Sequence, residues 1–373
     1  MRKLLTICIP TYKRAASLRR CIQSAVEQTQ ESSLWQDISI FVANDASPDE
    51  TTSVLEAYRS LTFFSAISRE HNLGMSANIR LMLAESSRNS EYQLIITDDD
   101  YLQPGALTDI IDFLRKQMKA GDRMSVTWTP RYSYTEDGKL HCVVCDTFGR
   151  DTLVRPSAAN VGRYMANGFV LSGLILRGNR IDYGFWEQYE DNAFFPVIFV
   201  GDLLAKEGAY FWKKNIVHHT VLNKCHWERW GKNDVVIEMR LFLDFVNAYH
   251  ILATKISNAR KIRFYFSSFL SIYGSLNSLL RSDKIKTERS LVLDAIAELG
   301  SKRANKIDFP LRELVMVALA TSALISATKT AILRIFSTLA ASEADKKEHI
   351  RRRQAHASVL RATRLVFKLV TYR

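Results

Sequence analysis

LIITDDDYLQP, residues 94–104, runs from an apolar stretch straight into three adjacent carboxylates, Asp98, Asp99 and Asp100. Charges of one sign repel, so three of them where a buried strand ends need something of opposite charge to hold. The elements around the stretch decide what kind of chain it belongs to. YQLIITDDD (92–100) reads as a strand, and QPGALTDIIDFLRKQM (103–118) as a helix with Pro at its start.

Upstream the same alternation repeats. LLTICIP (4–10) is a short apolar strand ended by Pro, and AASLRRCIQSAVEQT (15–29) places Leu18, Cys21, Ile22, Ala25 and Val26 at helix spacing. ISIFVAND (38–45) is a second strand. SPDETTSVLEAYRS (47–60) reads as a helix with Ser47 as N-cap and Pro48 at the first position. FFSAISRE (63–70) and MSVTWTPRYSY (124–134) read as further strands, and GMSANIRLMLAESS (74–87) as a helix. Strands alternating with helices of this length predict βαβ units, hence an α/β fold with a mostly parallel sheet flanked by helices. Ligands of such sheets bind beyond the carboxyl ends of the strands. Those ends carry Thr11 and Tyr12, Asn44 and Asp45, His71 and Asn72, and the Asp98–Asp100 cluster.

Residues 135–235 show no clear period. From 235 to 373 apolar residues recur at helix spacing, basic residues accumulate and Pro310 is the only proline, so the region reads as about four to six helices. The division expected is residues 1–234 as an α/β domain and 235–373 as a helical C-terminal domain.

The chain of 373 residues is 47% hydrophobic and 24% charged, which suits a large core and excludes wholesale disorder. A net charge of +12 points to an anionic partner, or simply to solubility. Five scattered cysteines fit a reducing compartment better than a disulfide framework. HCVVC (141–145) lacks a second pair and reads as hairpin. The first apolar run stops at Pro10, too soon for a signal peptide. The longest weakly polar run, 314–328, is 15 residues, short of the roughly 20 a membrane span needs. The expectation is therefore no export and no spanning helix.

A divalent cation resolves the repulsion among the three aspartates. Mg²⁺ and Mn²⁺ prefer oxygen ligands, take one or two carboxylates, and complete their shell with water and phosphate. A solvated acidic turn capping the next helix is the alternative reading of the same residues.

Taken in order, ICIPTYKR, IFVANDASPDET, EHNLGMSANIR and IITDDDYLQPGAL resemble the signature of family 2 glycosyltransferases with the GT-A fold, over residues 4–220 or so. Within that family they look most like bacterial transferases of O-antigen and cell-surface polysaccharide, including abequosyl- and rhamnosyltransferase-like members. The resemblance implies a Rossmann-like GT-A catalytic domain and a metal-dependent, inverting transfer of a sugar from a nucleotide-diphosphate sugar. It implies that Thr11 and Tyr12 contact the nucleobase, with Asp45 accepting the base N–H. Asn72 and Gly74 would shape the turn against the nucleotide, with Asn78 helping. Asp98 would meet the ribose, and Asp99 and Asp100 would face Mn²⁺ or Mg²⁺ and the diphosphate, Asp100 being the first choice for the metal. In YEDNAFFPVIF (189–199), Asp191 would be the general base with Glu190 beside it; an N-cap for a 192–200 helix is the other reading. Asp182 and Glu187 stand in reserve.

HHTVLNKCHWERWG (218–231) resembles a loop closing over a diphosphate, with His218, His219 or His226 available to a metal and Arg229 to a phosphate. Its spacing matches no standard zinc site. SGLILRGN (172–179) resembles the segment near the donor sugar. The tail KKEHIRRRQAHASVLRATRLVFKLVTYR (346–373) reads as a basic amphipathic helix for an anionic membrane surface, a solvated helix, or a dimer contact. A peripheral enzyme on the inner face of the cytoplasmic membrane, acting on a lipid-linked or oligosaccharide acceptor, fits that reading. UDP is the first choice of nucleotide, with dTDP, GDP and CDP open. The rivals are a nucleotidyltransferase, a dinucleotide-dependent oxidoreductase, which the missing G-x-G-x-x-G after the first strand disfavours, a family member without activity, and a nucleic-acid binder, for which no binding motif is present.

Overall fold

The protein, seen in a computed structural model, is described over residues 2–31, 34–121, 124–135, 138–144, 147–220 and, with gaps, 235–272. His226, Arg229, Cys145, Cys225 and the whole basic tail lie outside the described residues.

In chain order the elements are β1 (Lys3–Thr11), α1 (Ala15–Glu31), β2 (Ile38–Asn44), α2 (Thr51–Glu56), β3 (Phe64–Ser68), α3 (Met75–Ser86), β4 (Ser90–Ile95), β5 (Tyr101–Leu102), α4 (Ala106–Lys119), β6 (Val126–Trp128), β7 (Arg131–Tyr134), β8 (Leu140–Val144), β9 (Thr152–Val154), α5 (Ala158–Tyr164), β10 (Ile175–Leu176), α6 (Tyr183–Glu187), α7 (Phe195–Lys206), β11 (Ala209–Phe211), β12 (Val217–Thr220) and α8 (Val235–Thr254). An eight-stranded sheet has the order β3-β2-β1-β4-β10-β6-β11-β9. The first four strands and the β6–β11 pair are parallel, while β10 and β9 run against their neighbours. This is the expected mostly parallel, helix-flanked α/β sheet.

Strand alternation explains the layers. Leu5, Ile7 and Ile9 of β1 and Ile38, Ile40 and Val42 of β2 are fully buried under α1 and α4, where Leu18, Cys21, Ile22, Leu107, Ile110 and Leu114 complete one core. Thr6 and Cys8 face the other way, toward Ser90 and Ser86, beneath α3.

Three local expectations are corrected. The strand expected over 124–134 is two strands in two sheets, split at Thr129–Pro130. Proline has no N–H to give a ladder, and the chain leaves the large sheet there. The helix expected over 47–60 is only Thr51–Glu56, with Glu50 at its N-cap position. Ser47 is not its cap: its hydroxyl accepts from Lys13 N, and Asp49 holds the Thr51 amide and hydroxyl instead. Among its described residues, the aperiodic stretch 135–235 holds five short strands and three α-helices. Strands of two to five residues are too brief for a readable period.

A second, four-stranded sheet, β5-β12-β7-β8, stands where the chain leaves the aspartates. The β7–β8 pair is the hairpin expected around Cys142, whose thiol is free and exposed. Helix α8, which opens the region assigned to a separate helical domain, packs on α7: Asn192 Nδ2 donates to the Asp244 carbonyl at 3.0 Å, and the Phe194 and Phe245 rings meet edge to face. Among the described residues no helix is long and apolar enough to cross a membrane.

Candidate functional site

The carboxyl ends of β1, β2 and β4 lie side by side, so the residues that follow them share one edge. Pairing continues one residue past β4, with Ile96 N donating to Cys8 O, and the chain then turns through Asp98–Asp100. All three aspartates are buried. Asp98 Oδ2 accepts from the Thr11 hydroxyl at 2.7 Å. A single nitrogen of Arg14, Nη1, sits between Asp98 Oδ1 at 2.9 Å and Asp99 Oδ2 at 2.8 Å. Burial pushes the Asp98 carboxyl up to about 6, against the pull of Arg14 and with the push of Asp99. Burial also opposes the Arg14 charge, but Asp98 and Asp99 outweigh it and hold the guanidinium above its ordinary range.

Asp100 has a different set of partners. Its Oδ1 lies 2.6 Å from His219 Nδ1, and its Oδ2 accepts from the Thr97 hydroxyl at 3.1 Å. Thr97 is held in turn by Ser172 Oγ, which accepts from Thr97 N at 2.9 Å and lies 2.8 Å from Thr97 Oγ1. Ser172 precedes Gly173, whose φ of +92° and 2.8 Å clearance to Thr129 Oγ1 leave no room for a Cβ. The SGLILRGN segment therefore buttresses the aspartate turn.

His219 reaches Asp100 because β12 pairs with β5, immediately after the aspartates, with His218 opposite Tyr101. Neighbouring strand residues face opposite ways. His218 accordingly lies between the rings of Tyr101 and Tyr134, at centroid distances of 4.3 and 4.2 Å. Burial and then Arg20 push its imidazole below the ordinary value, with Asp100 pulling the other way. Of the lid candidates within the described residues, His219 touches the aspartates and His218 fills a ring stack.

The second and third motifs lock onto each other. Asp45 Oδ1 and Oδ2 accept from Leu73 N at 2.8 Å and Gly74 N at 3.0 Å, and Asn72 Nδ2 donates to Asp45 O at 3.2 Å. Gly74 has φ +86°, the conformation expected of it at this strand–turn–helix junction. Asn78 Nδ2 donates to Ala43 O, and Arg69 Nε to Asn78 Oδ1. Above this turn Tyr12 is 38% exposed, with Lys13 Nζ 4.8 Å from its ring centroid. Lys13 and Ala46 both take left-handed backbone (φ 57° and 56°), a strain of about 1 kcal/mol or more each for residues with a Cβ.

Asp191 sits in the turn between α6 and α7, exposed and without a hydrogen bond or ion pair among the described residues. It caps no helix: α7 begins at Phe195, and Asn192 Oδ1 accepts from Phe194 N. The two reserves are engaged elsewhere. Asp182 caps α6 by accepting from Phe185 N, which leads the causes holding its carboxyl low, and Glu187 pairs with Arg80.

Arg14, Ser172 and Arg80 were not assigned roles from the sequence. Arg14 carried a signal: it is the basic residue just past the first strand, on the edge where the acids converge. Ser172 and Arg80 act through partners 75 and 110 residues away, for which a single sequence holds no signal.

The chemistry of the cluster fits a divalent cation. Three carboxylates face Arg14 and one imidazole, so negative charge is in excess, and the donors are hard oxygens with one nitrogen. As arranged, no three candidate ligands among the described residues already close on one point. Arg14 Nη1, shared by two carboxylates, stands where positive charge is wanted.

Residues 6–139 match the family model described as Glycosyl transferase family 2. Over 114 residues the chain is 27% identical to abequosyltransferase RfbV of Salmonella typhimurium, covering 31% of this chain and 33% of that one. Over another 114-residue match it is 27% identical to poly(ribitol-phosphate) beta-N-acetylglucosaminyltransferase TarP of Staphylococcus aureus, covering 30% and 33%. The chain thus spans about a third of the length of these relatives. Its fold is similar to that of the crystal structure of Staphylococcus aureus TarS 1–349, with a TM-score of 0.53 at 16% identity over 84% of each chain.

Proposed function

We propose that this protein, whose residues 6–139 match the glycosyl transferase family 2 model, moves a sugar from a nucleoside-diphosphate sugar to a saccharide acceptor, with inversion, in the building of a bacterial surface polysaccharide. The observation that carries the proposal is the buried triplet Asp98–Asp100 at the strand ends, beside the exposed Tyr12 ring and the Asp45–Gly74 turn. Tyr12 gives a base a face to stack on. Thr11, Asp45, Asn72 and Gly74 would shape the nucleotide side, and Asp98 would meet the ribose. Asp99 and Asp100, with His219 next to Asp100, would hold Mn²⁺ or Mg²⁺. A bound cation would supply positive charge for the leaving diphosphate.

Asp191 is the proposed general base. It takes the proton from an acceptor hydroxyl as that oxygen bonds to the anomeric carbon and the bond to the diphosphate breaks. One relative is named an abequosyltransferase and another a poly(ribitol-phosphate) beta-N-acetylglucosaminyltransferase, which supports glycosyl transfer as the reaction; the acceptor proposed for this chain is lipid-linked or an oligosaccharide. The region from 235 onward, whose sequence has helix-spaced apolar residues and a basic end, is proposed to meet an anionic membrane surface or a second copy of the chain.

Calorimetric titration of UDP, dTDP, GDP and CDP, each with and without Mn²⁺, into wild type and Asp100→Ala tests the reading. Metal-dependent binding of one nucleotide, lost in the variant, is expected. Binding of none, or binding indifferent to both metal and Asp100, would leave the triplet a capped acidic turn and the family likeness one of fold alone.

A further inference from the structure

Helix α3 carries two side chains that reach across to the Asp191 turn. Positions 76 and 80 lie one helical turn apart on one face. Ser76 Oγ accepts from the buried indole of Trp186 at 2.9 Å. Arg80, whose side chain is only 14% exposed, donates through Nε to Glu190 and through Nη2 to Glu187 at 3.0 Å. Trp186 is fixed from behind by Phe199, stacked at 4.4 Å.

On the far side of Asp191, Asn192 N donates to Tyr189 O and Asn192 Nδ2 to the carbonyl of Asp244. The residues flanking Asp191 are therefore anchored in two directions, Glu190 to α3 and Asn192 to α8. Asp191 itself is exposed and has no partner among the described residues. At its N-terminus, just before Ser76, α3 starts from Gly74, whose N–H is bound by Asp45. One rigid helix thus connects the proposed nucleotide turn to the proposed base.

We infer that Arg80 is a positioning residue: by gripping Glu190 it sets where Asp191 stands relative to the nucleotide sugar. The inference rests on the transferase reading above. Glu187 is 62% exposed and its pair contributes little, so the bond to Glu190 carries the effect. The guanidinium is suited to the task because Nε and Nη2 engage two carboxylates at once, whereas a lysine ammonium is a single point charge.

The test compares Arg80→Met, Arg80→Lys, Glu190→Gln and Asp191→Asn. Turnover is read as nucleoside diphosphate released from a panel of UDP-, dTDP-, GDP- and CDP-linked hexoses with water as acceptor. Backbone hydrogen exchange over Tyr189–Asn192 is measured on the same proteins without any substrate. Displacing a catalytic group by about 1 Å costs about 100-fold in rate, so Arg80→Met should lower kcat by roughly 30- to 100-fold with KM for the donor within about threefold. Arg80→Lys should recover part of the loss, and Glu190→Gln, which keeps Arg80, should reproduce it. In the Asp191→Asn background, Arg80→Met should change kcat less than about twofold, since both act through one group.

Exchange over 189–192 should rise about tenfold in Arg80→Met while the Leu73 and Gly74 amides stay protected. Unchanged exchange over 189–192, a rise in KM at constant kcat, or losses that multiply with Asp191→Asn each overturn the inference. An inactive Asp191→Asn beside a fully active Arg80→Met removes this inference and leaves the transferase reading standing. A fully active Asp191→Asn removes the base assignment itself.

Discussion

Asp98→Asn should make the metal-free protein more stable at neutral pH while weakening its ligand site. Burial raises the Asp98 carboxyl from its ordinary 3.8 to about 6. A rise of about two pH steps, at about 1.4 kcal/mol each, is a penalty of about 3 kcal/mol for the charged form. The sign follows from proton binding. The folded state holds the Asp98 proton more tightly than the unfolded state, so this residue's contribution is fully present below about pH 4 and is lost as pH rises through about 6. Asn has the shape of Asp and no charge to desolvate. The difference in unfolding free energy between variant and wild type should therefore grow from near its pH 4 value by about 3 kcal/mol at pH 8. Urea unfolding of both proteins in EDTA at half-unit pH intervals measures it, and subtracting the curves removes the titrating groups that do not interact with Asp98. Parallel curves would refute the argument. So would a gap that closes as pH rises, because Arg14 would then more than offset the burial of Asp98.

Three further outcomes are expected. Arg14→Met leaves Asp98 and Asp99 buried without their shared cation and should cost about 2–4 kcal/mol of stability in EDTA; the loss should shrink when millimolar Mn²⁺ is added, and equal losses with and without metal would count against a cation site. Gly74→Ala meets no atom within 4 Å, so its cost, about 1–2 kcal/mol in chemical denaturation, should be that of the positive φ alone. His219→Ala should abolish metal-dependent nucleotide binding with little change in unfolding midpoint, whereas His218→Ala, which empties the space between Tyr101 and Tyr134, should lower the midpoint by several degrees; reversed roles in calorimetry and melting would contradict the placement of the two rings.

What could be read from the sequence follows the range of the forces involved. Apolar runs of β1, β2 and β4 and the 3.6-residue period of α1 and α4 are local, so the parallel half of the sheet was legible. The convergence of Thr11, Asp45, Gly74 and Asp98–Asp100 was legible too, because strand ends in such a sheet share an edge. The short strands β9–β12 were not, since each acquires its conformation from a partner far along the chain. Asp45 shows the intermediate case. Its place at the site was anticipated, but its pinning by two backbone amides of the next motif depends on a turn whose geometry no side chain spells out. His218 and His219 are indistinguishable by composition; the register of β12 on β5 alone tells which one faces the aspartates.

The pairing of β12 with β5 also sets a timetable. Thr11, Arg14 and the aspartates are all present once the first hundred residues have left the ribosome, and Arg14 lies 84 residues from Asp98. His219 follows Asp100 by 119 residues. During synthesis the acidic turn must therefore persist with one side unclosed while β6 to β11 are still being made. Joining strands so far apart carries a large loop-closure entropy and slows folding. Completion of the site is thus coupled to completion of the sheet, and a chain truncated before residue 217 would keep the triplet but not its last partner.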